Sequence, residues 1–306
     1  MVLLDIHQLC VRLVTRAGMV EANSNINLSI RQDERVGLIG ETGCGKSILG
    51  HALVGLLPEN AVATGKIIYN GRNLLTQPEA VLQKIRGRDI AMIFQDPRSS
   101  LNPVLTVYQQ LMEIYRYRLS VPRKQIRAKT VRLLEQVGID AQRMDDYPHQ
   151  FSGGMLQRVM IAMAIAFQPP LLVADEITKG LDRPVKWKIV DLIREVTADS
   201  SMLLITHDLT VARALCDRIA VMYAGEIVEI NRTESLFNTP AHPYTRGLIS
   251  ALPASGLHPI AGQAPGLTGL PHGCRFHPRC AVRERICSRR HPQLRPLGND
   301  HYLRCS

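Results

Sequence analysis

The segment GETGCGKS, made of Gly40, Glu41, Thr42, Gly43, Cys44, Gly45, Lys46 and Ser47, has a phosphate-binding spacing. In G-x-x-x-x-G-K-S the glycines let successive backbone N–H groups turn toward an anion. The helix that follows adds partial positive charge at its N-terminus. Lys46 is long enough to reach β and γ phosphates, and the Ser47 hydroxyl can ligate Mg²⁺. Cys44 is expected to contribute its backbone rather than its sulfur. An acidic pair, Asp175 and Glu176, ends the apolar run LLVADE. Asp175 would hold Mg²⁺ through water, and Glu176 would orient or deprotonate an attacking water. Two acids alone could merely cap a strand; beside a phosphate loop they point to a nucleoside triphosphatase. In FSGGMLQRVMIAMAIA, Ser152 supplies an N-cap hydroxyl, and Gly153 and Gly154 supply amides that an anion can approach closely. Near the end of the chain, Cys274, Cys280 and Cys287 crowd into HGCRFHPRCAVRERIC, and Cys305 is the penultimate residue. Four reduced thiols could bind zinc, bind an iron–sulfur cluster, or stay free.

Such residues need buried strands that end at loops. Residues 36–39 (VGLI), 90–93 (IAMI), 171–174 (LLVA) and 203–206 (LLIT) are short apolar runs, each followed by a polar or glycine-rich stretch. They alternate with helical patterns, which predicts an α/β core with ligands at the strand ends. Asn70-Gly71 after residues 66–69, and Ala224-Gly225 between residues 219–222 and 226–230, predict hairpins. From about residue 108 the pattern turns helical: Ile126, Leu133, Leu134 and Val137 share a face, and Gly138 is placed to end the helix. Beyond Asn231 prolines and glycines multiply, marking a small C-terminal module.

Composition narrows the classes further. The chain has 306 residues, of which 45% are hydrophobic, enough for a sizeable core and an appendage. Its longest apolar run, residues 159–167, is far short of a membrane span. The first ten residues contain an acid and no basic cluster, so no secretory signal is expected, and the thiols are expected to stay reduced. The formal charge is +10, and residues 241–306 hold nine arginines, no lysine and two acids. Most of the charge therefore lies in the tail, where few aromatics accompany it; a basic surface near anionic lipid is preferred to nucleic-acid binding.

The phosphate loop, Gln95 in IFQDP, the SGG segment, LLVADE, Asp182 in KGLD and His207 in LLITHD occur in an order that resembles the ATPase subunit of ABC transporters. The resemblance covers about residues 1–250. It implies a P-loop ABC-type ATPase core over residues 1–235, with an antiparallel β subdomain and a helical subdomain at about 108–165. It also implies that two such subunits stack head to tail, so that ATP on residues 40–47 of one meets Ser152 and Gly154 of the other. Gln95 would contact Mg²⁺ and the attacking water, His207 the γ phosphate, and Asp182 the dimer contact. The chain departs from the family at Ile177, where proline usually follows the catalytic glutamate, and at Lys179-Gly180. No aromatic stands near Leu13 to stack on adenine.

AHPYTRGLI, GCRFHPRC and SLNP are similar to the oligopeptide, dipeptide and nickel importer ATPases. For residues 236–306 that likeness implies a module whose Cys274, Cys280, Cys287 and Cys305 bind a [4Fe-4S] cluster, with Zn²⁺ as the alternative. It further implies a peripheral protein on the cytoplasmic face of the inner membrane. There it would pair with a second, different ATPase subunit, two permeases and an extracytoplasmic binding protein, with peptides as first cargo and nickel or a metal chelate as second. The helical subdomain would receive the permeases. A soluble ABC ATPase acting on ribosomes or DNA, and a regulatory ATPase with an iron–sulfur sensor, are the rivals from other classes.

Overall fold

In the computed structural model the described residues are 1–16, 18–118, 122–298 and 300–306, so residues 119–121 of the helical stretch lie outside them. The chain forms two compact units: Met1–Leu82 with Leu203–Ser306, and Gln83–Met202.

The first unit opens with a long antiparallel hairpin, β1 (Val2–Thr15) and β2 (Gly18–Arg31), followed by β3 (Arg35–Ile39) and α1 (Lys46–Leu53). Next come β4 (Ala61–Tyr69), β5 (Arg72–Asn73) and α2 (Glu79–Ile85). A four-stranded sheet, in the order β2-β1-β4-β5, is the expected antiparallel subdomain. Alternation drives it: Ile26, Leu28 and Ile30 of β2 are buried at every second position. β1 keeps that alternation only piecewise, because a register shift between Ile6 and Leu9 accompanies Gln8 at φ 49°. The β4–β5 turn is the predicted Asn70-Gly71, with φ of 46° and 76°, the signs that a type I′ hairpin needs.

The second unit contains β6 (Ile90–Ile93), α3 (Pro97–Ser100), α4 (Val107–Arg118), α5 (Arg123–Gln136), α6 (Gly153–Ile165), β7 (Leu171–Asp175) and α7 (Arg183–Val196). β6 and β7 pair in parallel, with Ile93 opposite Ala174. The face predicted for α5 is the buried one, since Ile126, Leu133, Leu134 and Val137 are all within the core. Helix α6 is buried along most of its length because its residues are almost all apolar; its start is fixed by Ser152, whose Oγ accepts from Met155 N–H at 3.4 Å.

The chain returns to the first unit through β8 (Ser201–Thr206), α8 (Leu209–Leu215), β9 (Arg218–Tyr223), β10 (Glu226–Arg232), α9 (Thr233–Asn238), α10 (Pro243–Ser250), β11 (Arg295–Gly298) and β12 (His301–Leu303). In this unit the strands run β11-β12-β10-β9-β3-β8, with β3 parallel to β9 and the tail strand β12 antiparallel to β10. Apolar strands such as β9 are buried end to end. The predicted Ala224-Gly225 turn joins β9 to β10. Among the described residues no helix is long and apolar enough to cross a membrane.

The tail is docked on the first unit by charge as much as by apolar contact. Arg275 reaches Glu21 at 3.0 Å and Glu226 at 3.5 Å, and His291 reaches Glu226 at 2.8 Å. Glu229, fully buried, accepts from the N–H groups of Ala241 and His242, each at 2.9 Å, and faces His301 at 3.2 Å. The pair of Arg275 with Glu226 is buried on both sides and carries a large desolvation cost, so it is weak evidence of added stability. The expected solvated basic surface is thus only part of the account: Arg275 and Arg304 are buried, while Arg283, Arg285, Arg289, Arg290 and Arg295 are exposed.

Candidate functional site

The phosphate loop lies where the sequence places it, between β3 and α1 in the first unit. Two glycines are required there by sterics. A Cβ on Gly45 would stand 2.0 Å from the Ala22 carbonyl oxygen, and its φ of +105° is one that L side chains rarely adopt. On Gly40 a Cβ would meet the Met222 carbonyl oxygen at 2.2 Å. The loop is laced to its neighbours: Asn23 Nδ2 donates to the Gly45 carbonyl at 3.1 Å, and Gly225 N–H donates to the Cys44 carbonyl at 2.9 Å. Cys44 is buried; its carbonyl accepts from Gly225, its sulfur lies 3.8 Å from the Lys46 ammonium, and burial pushes its thiol up. The Lys46 ammonium donates to the carbonyls of Gly40 and Glu41 at 2.8 and 2.9 Å, and its side chain is buried. A buried ammonium held by loop carbonyls, on the first turn of a helix, is an anion site built from backbone and one charge.

His207 directly follows β8, which lies beside β3 in the sheet, so it leaves the sheet from the strand next to the one that feeds the phosphate loop. It is exposed. In the second unit, Asp175 ends β7 and Gln95 stands two residues beyond β6; the parallel register brings both to the same edge of that strand pair. Asp175 and Glu176 are buried, and Glu176 adopts φ 49°, which is uncommon for a residue with a side chain. Ser152 and Gly153 are exposed at the start of α6, with Gly154 half-buried. Asp182 is the N-cap residue of α7, exposed, with no side-chain capping bond. At the departures, Ile177 is buried and Gly180 is exposed with φ 73°.

The structure also gathers the four tail cysteines. Cys274, Cys280, Cys287 and Cys305 line one small cavity of about 50 Å³, with His242 and Phe276 in its wall. Cys274 N–H donates to the Cys287 carbonyl at 2.7 Å, which closes the loop between them. Burial dominates and pushes the Cys274 and Cys305 thiols up; the neighbouring thiols add to this, and Arg295 opposes it only weakly at Cys305. His242 is driven down to about 3 by burial, so its imidazole is neutral and its Nδ1 accepts from Tyr244 N–H at 3.0 Å. Among the described residues no three His, Cys, Asp or Glu side chains are arranged to hold a single metal ion.

Two contacts on the phosphate loop were not legible beforehand. Tyr244 Oη accepts the Glu41 N–H at 3.1 Å, and Arg279 forms a two-pronged pair with the Glu41 carboxylate at 2.8 and 3.0 Å. The only signal was the density of arginine in the tail, which does not name a partner.

Known proteins match both the core of the chain and its C-terminal region. The ABC transporter family profile matches residues 23–179, and the oligopeptide/dipeptide transporter C-terminal region matches residues 228–287. The oligopeptide transport ATP-binding protein OppD of Escherichia coli (strain K12) is 43% identical over 295 residues, covering 94% of this chain and 88% of that protein. The dipeptide transport ATP-binding protein DppD of Bacillus subtilis (strain 168) is 39% identical over 313 residues, covering 99% and 93%. Among solved structures, the ATP-binding cassette MJ0796, in a dimeric post-hydrolysis state bound to ADP and Pi, has a TM-score of 0.68 at 27% identity, covering 75% of this chain and 98% of that one. Matched by both profiles, and by relatives at 39–43% identity along nearly its whole length, the chain belongs to the ABC transporter family as an ATP-binding ATPase subunit.

Proposed function

We propose that this chain hydrolyses ATP to drive the import of di- and oligopeptides through a membrane permease. The observation that carries the ATP part is the buried Lys46 ammonium, held by the Gly40 and Glu41 carbonyls at the strand-to-helix junction. An incoming triphosphate offers that charge better acceptors, and the amides of residues 40–47 take the remaining oxygens. Ser47, Gln95 and Asp175 would hold Mg²⁺, which when bound screens the phosphates and stabilises charge in transfer. Glu176 orients and deprotonates the attacking water, and His207 hydrogen-bonds the γ phosphate. Ser152, Gly153 and Gly154 meet the nucleotide of a second ATPase subunit, with Asp182 at that contact; we take the second subunit to be a different chain. ATP then bridges the pair and its hydrolysis releases them, a two-state element that a transporter can use.

The cargo reading rests on relatives named for oligopeptide and dipeptide transport; none of those described above is named for nickel. Residues 1–235 would form the ATPase domain and residues 236–306 the C-terminal module. The protein would work peripherally at the cytoplasmic face of the inner membrane with two permeases and a binding protein, with the helical subdomain receiving the permeases. Co-reconstituted with those partners in liposomes, it is expected to support Mg·ATP-dependent uptake of a labelled oligopeptide and not of nickel. Uptake of nickel alone would reverse the cargo reading.

The four thiols around one cavity also support a [4Fe-4S] cluster, which keeps its cysteine sulfurs farther apart than a single zinc ion does. The cluster would brace a segment poor in apolar core. Anaerobically purified protein is expected to contain iron and sulfide rather than zinc, and Cys280→Ser to lose at least half of both. Zinc in stoichiometric amount, or no metal, would refute the assignment.

A further inference from the structure

Every polar group of Glu41 is held. Its carbonyl accepts from Lys46 Nζ at 2.9 Å within the phosphate loop. Its N–H goes to Tyr244 Oη at 3.1 Å, and its carboxylate takes Arg279 Nη1 at 2.8 Å and Nη2 at 3.0 Å. The last two partners come from the C-terminal segment, more than 200 residues along the chain. Arg279 is itself fixed: Nε donates to the Ala261 carbonyl at 3.1 Å, its guanidinium lies 5.8 Å from the centre of the Tyr223 ring, and its side chain is only 6% exposed. Tyr244 is fully buried, with its ring 4.6 Å from that of Tyr223 and 5.4 Å from that of Phe276.

We propose that Arg279 and Tyr244 are positioning residues for the nucleotide: they fix the first turn of the phosphate loop and neutralise the Glu41 carboxylate beside the place where the phosphates bind. The inference rests on the reading that residues 40–47 bind ATP. Two physical effects combine. The two-pronged pair removes a negative charge that would repel a triphosphate, and a carboxylate–guanidinium fork is directional enough to hold the backbone at Glu41. The Tyr244 bond holds the N–H of the same residue, so the loop need not be ordered when ATP arrives, and less affinity is lost to ordering. Neither residue touches the reacting atoms, so turnover at saturation should hardly change.

Steady-state hydrolysis by the assembled transporter separates the possibilities. Arg279→Gln is expected to raise KM for ATP by about tenfold with kcat within twofold, and Tyr244→Phe to raise KM by about threefold. The decisive arm is the double variant Arg279→Gln/Glu41→Gln, in which the stranded carboxylate is gone; its KM should return to within about threefold of wild type. A residue that only supported the fold would not be rescued by deleting its partner's charge. If Arg279→Gln lowers the melting temperature too far for assay, Arg279→Lys, which keeps the charge and loses the fork, should raise KM by about threefold. An unchanged KM in either Arg279 variant, or a double variant no better than Arg279→Gln, overturns the inference. Failure of the wild-type protein to saturate with ATP would instead overturn the ATP-site reading itself.

Discussion

Glu176→Gln is expected to leave Mg·ATP binding within about twofold of wild type while lowering phosphate release by roughly 10³-fold, the scale of a lost general base. Glutamine has the shape of glutamate and keeps a carbonyl oxygen to orient water, but it cannot take the water's proton. The site suits so conservative a change. Glu176 is buried immediately after β7, and its backbone sits at φ 49°, a conformation that a few surrounding contacts must impose. Ile177 beside it is buried in turn. With hydrolysis blocked and binding intact, the ATP-bound pair of subunits should accumulate, so crosslinking in Mg·ATP should rise well above wild type. A variant that turns over at the normal rate would remove Glu176 from the mechanism.

Lys46→Ala should abolish function at an earlier step. Hydrogen bonds to charged groups contribute about 1.5–3 kcal/mol each, so loss of the ammonium is expected to weaken ATP binding by at least a hundredfold. A second cost falls on the protein itself. The carbonyls of Gly40 and Glu41, which now accept from Lys46 at 2.8 and 2.9 Å, would lose that donor. Equilibrium binding of a fluorescent ATP analogue should therefore show almost no saturation, and the melting temperature should fall by a few degrees even without nucleotide. ATP should stabilise the wild type against heat and leave Lys46→Ala unchanged. Normal thermal stabilisation of the variant by ATP would be incompatible with the site described.

Much of this architecture could be read along the chain because its signals are local. The strand over residues 90–93 opens an uninterrupted apolar run that follows Asp89, and its observed bounds are the predicted ones. Asn70-Gly71 announces its hairpin because few pairs accept two positive φ values in succession. Ser152 caps α6 as its position suggested. The long hairpin β1–β2 was harder to recognise: the alternation in β1 changes phase at Gln8, and a bulge breaks the period on which pattern reading depends. The tail strand β12 has only three residues, too few for any period, and β11 contains a proline. Long-range partners were the least accessible. Glu41 carries no mark of Arg279 or Tyr244, and nothing in the run of tail arginines distinguishes the buried Arg275 and Arg304 from exposed Arg283 or Arg289. Which charge meets which is decided by the folded surface, not by spacing.

The braces on Glu41 have a consequence for how the protein is made. Tyr244 and Arg279 are translated long after the loop they steady, and the first compact unit joins the opening 82 residues to the closing stretch from Leu203. A nascent chain must therefore extend past Arg279 before every contact on that loop can form. Chains that stop short of Tyr244 lack both braces on that loop.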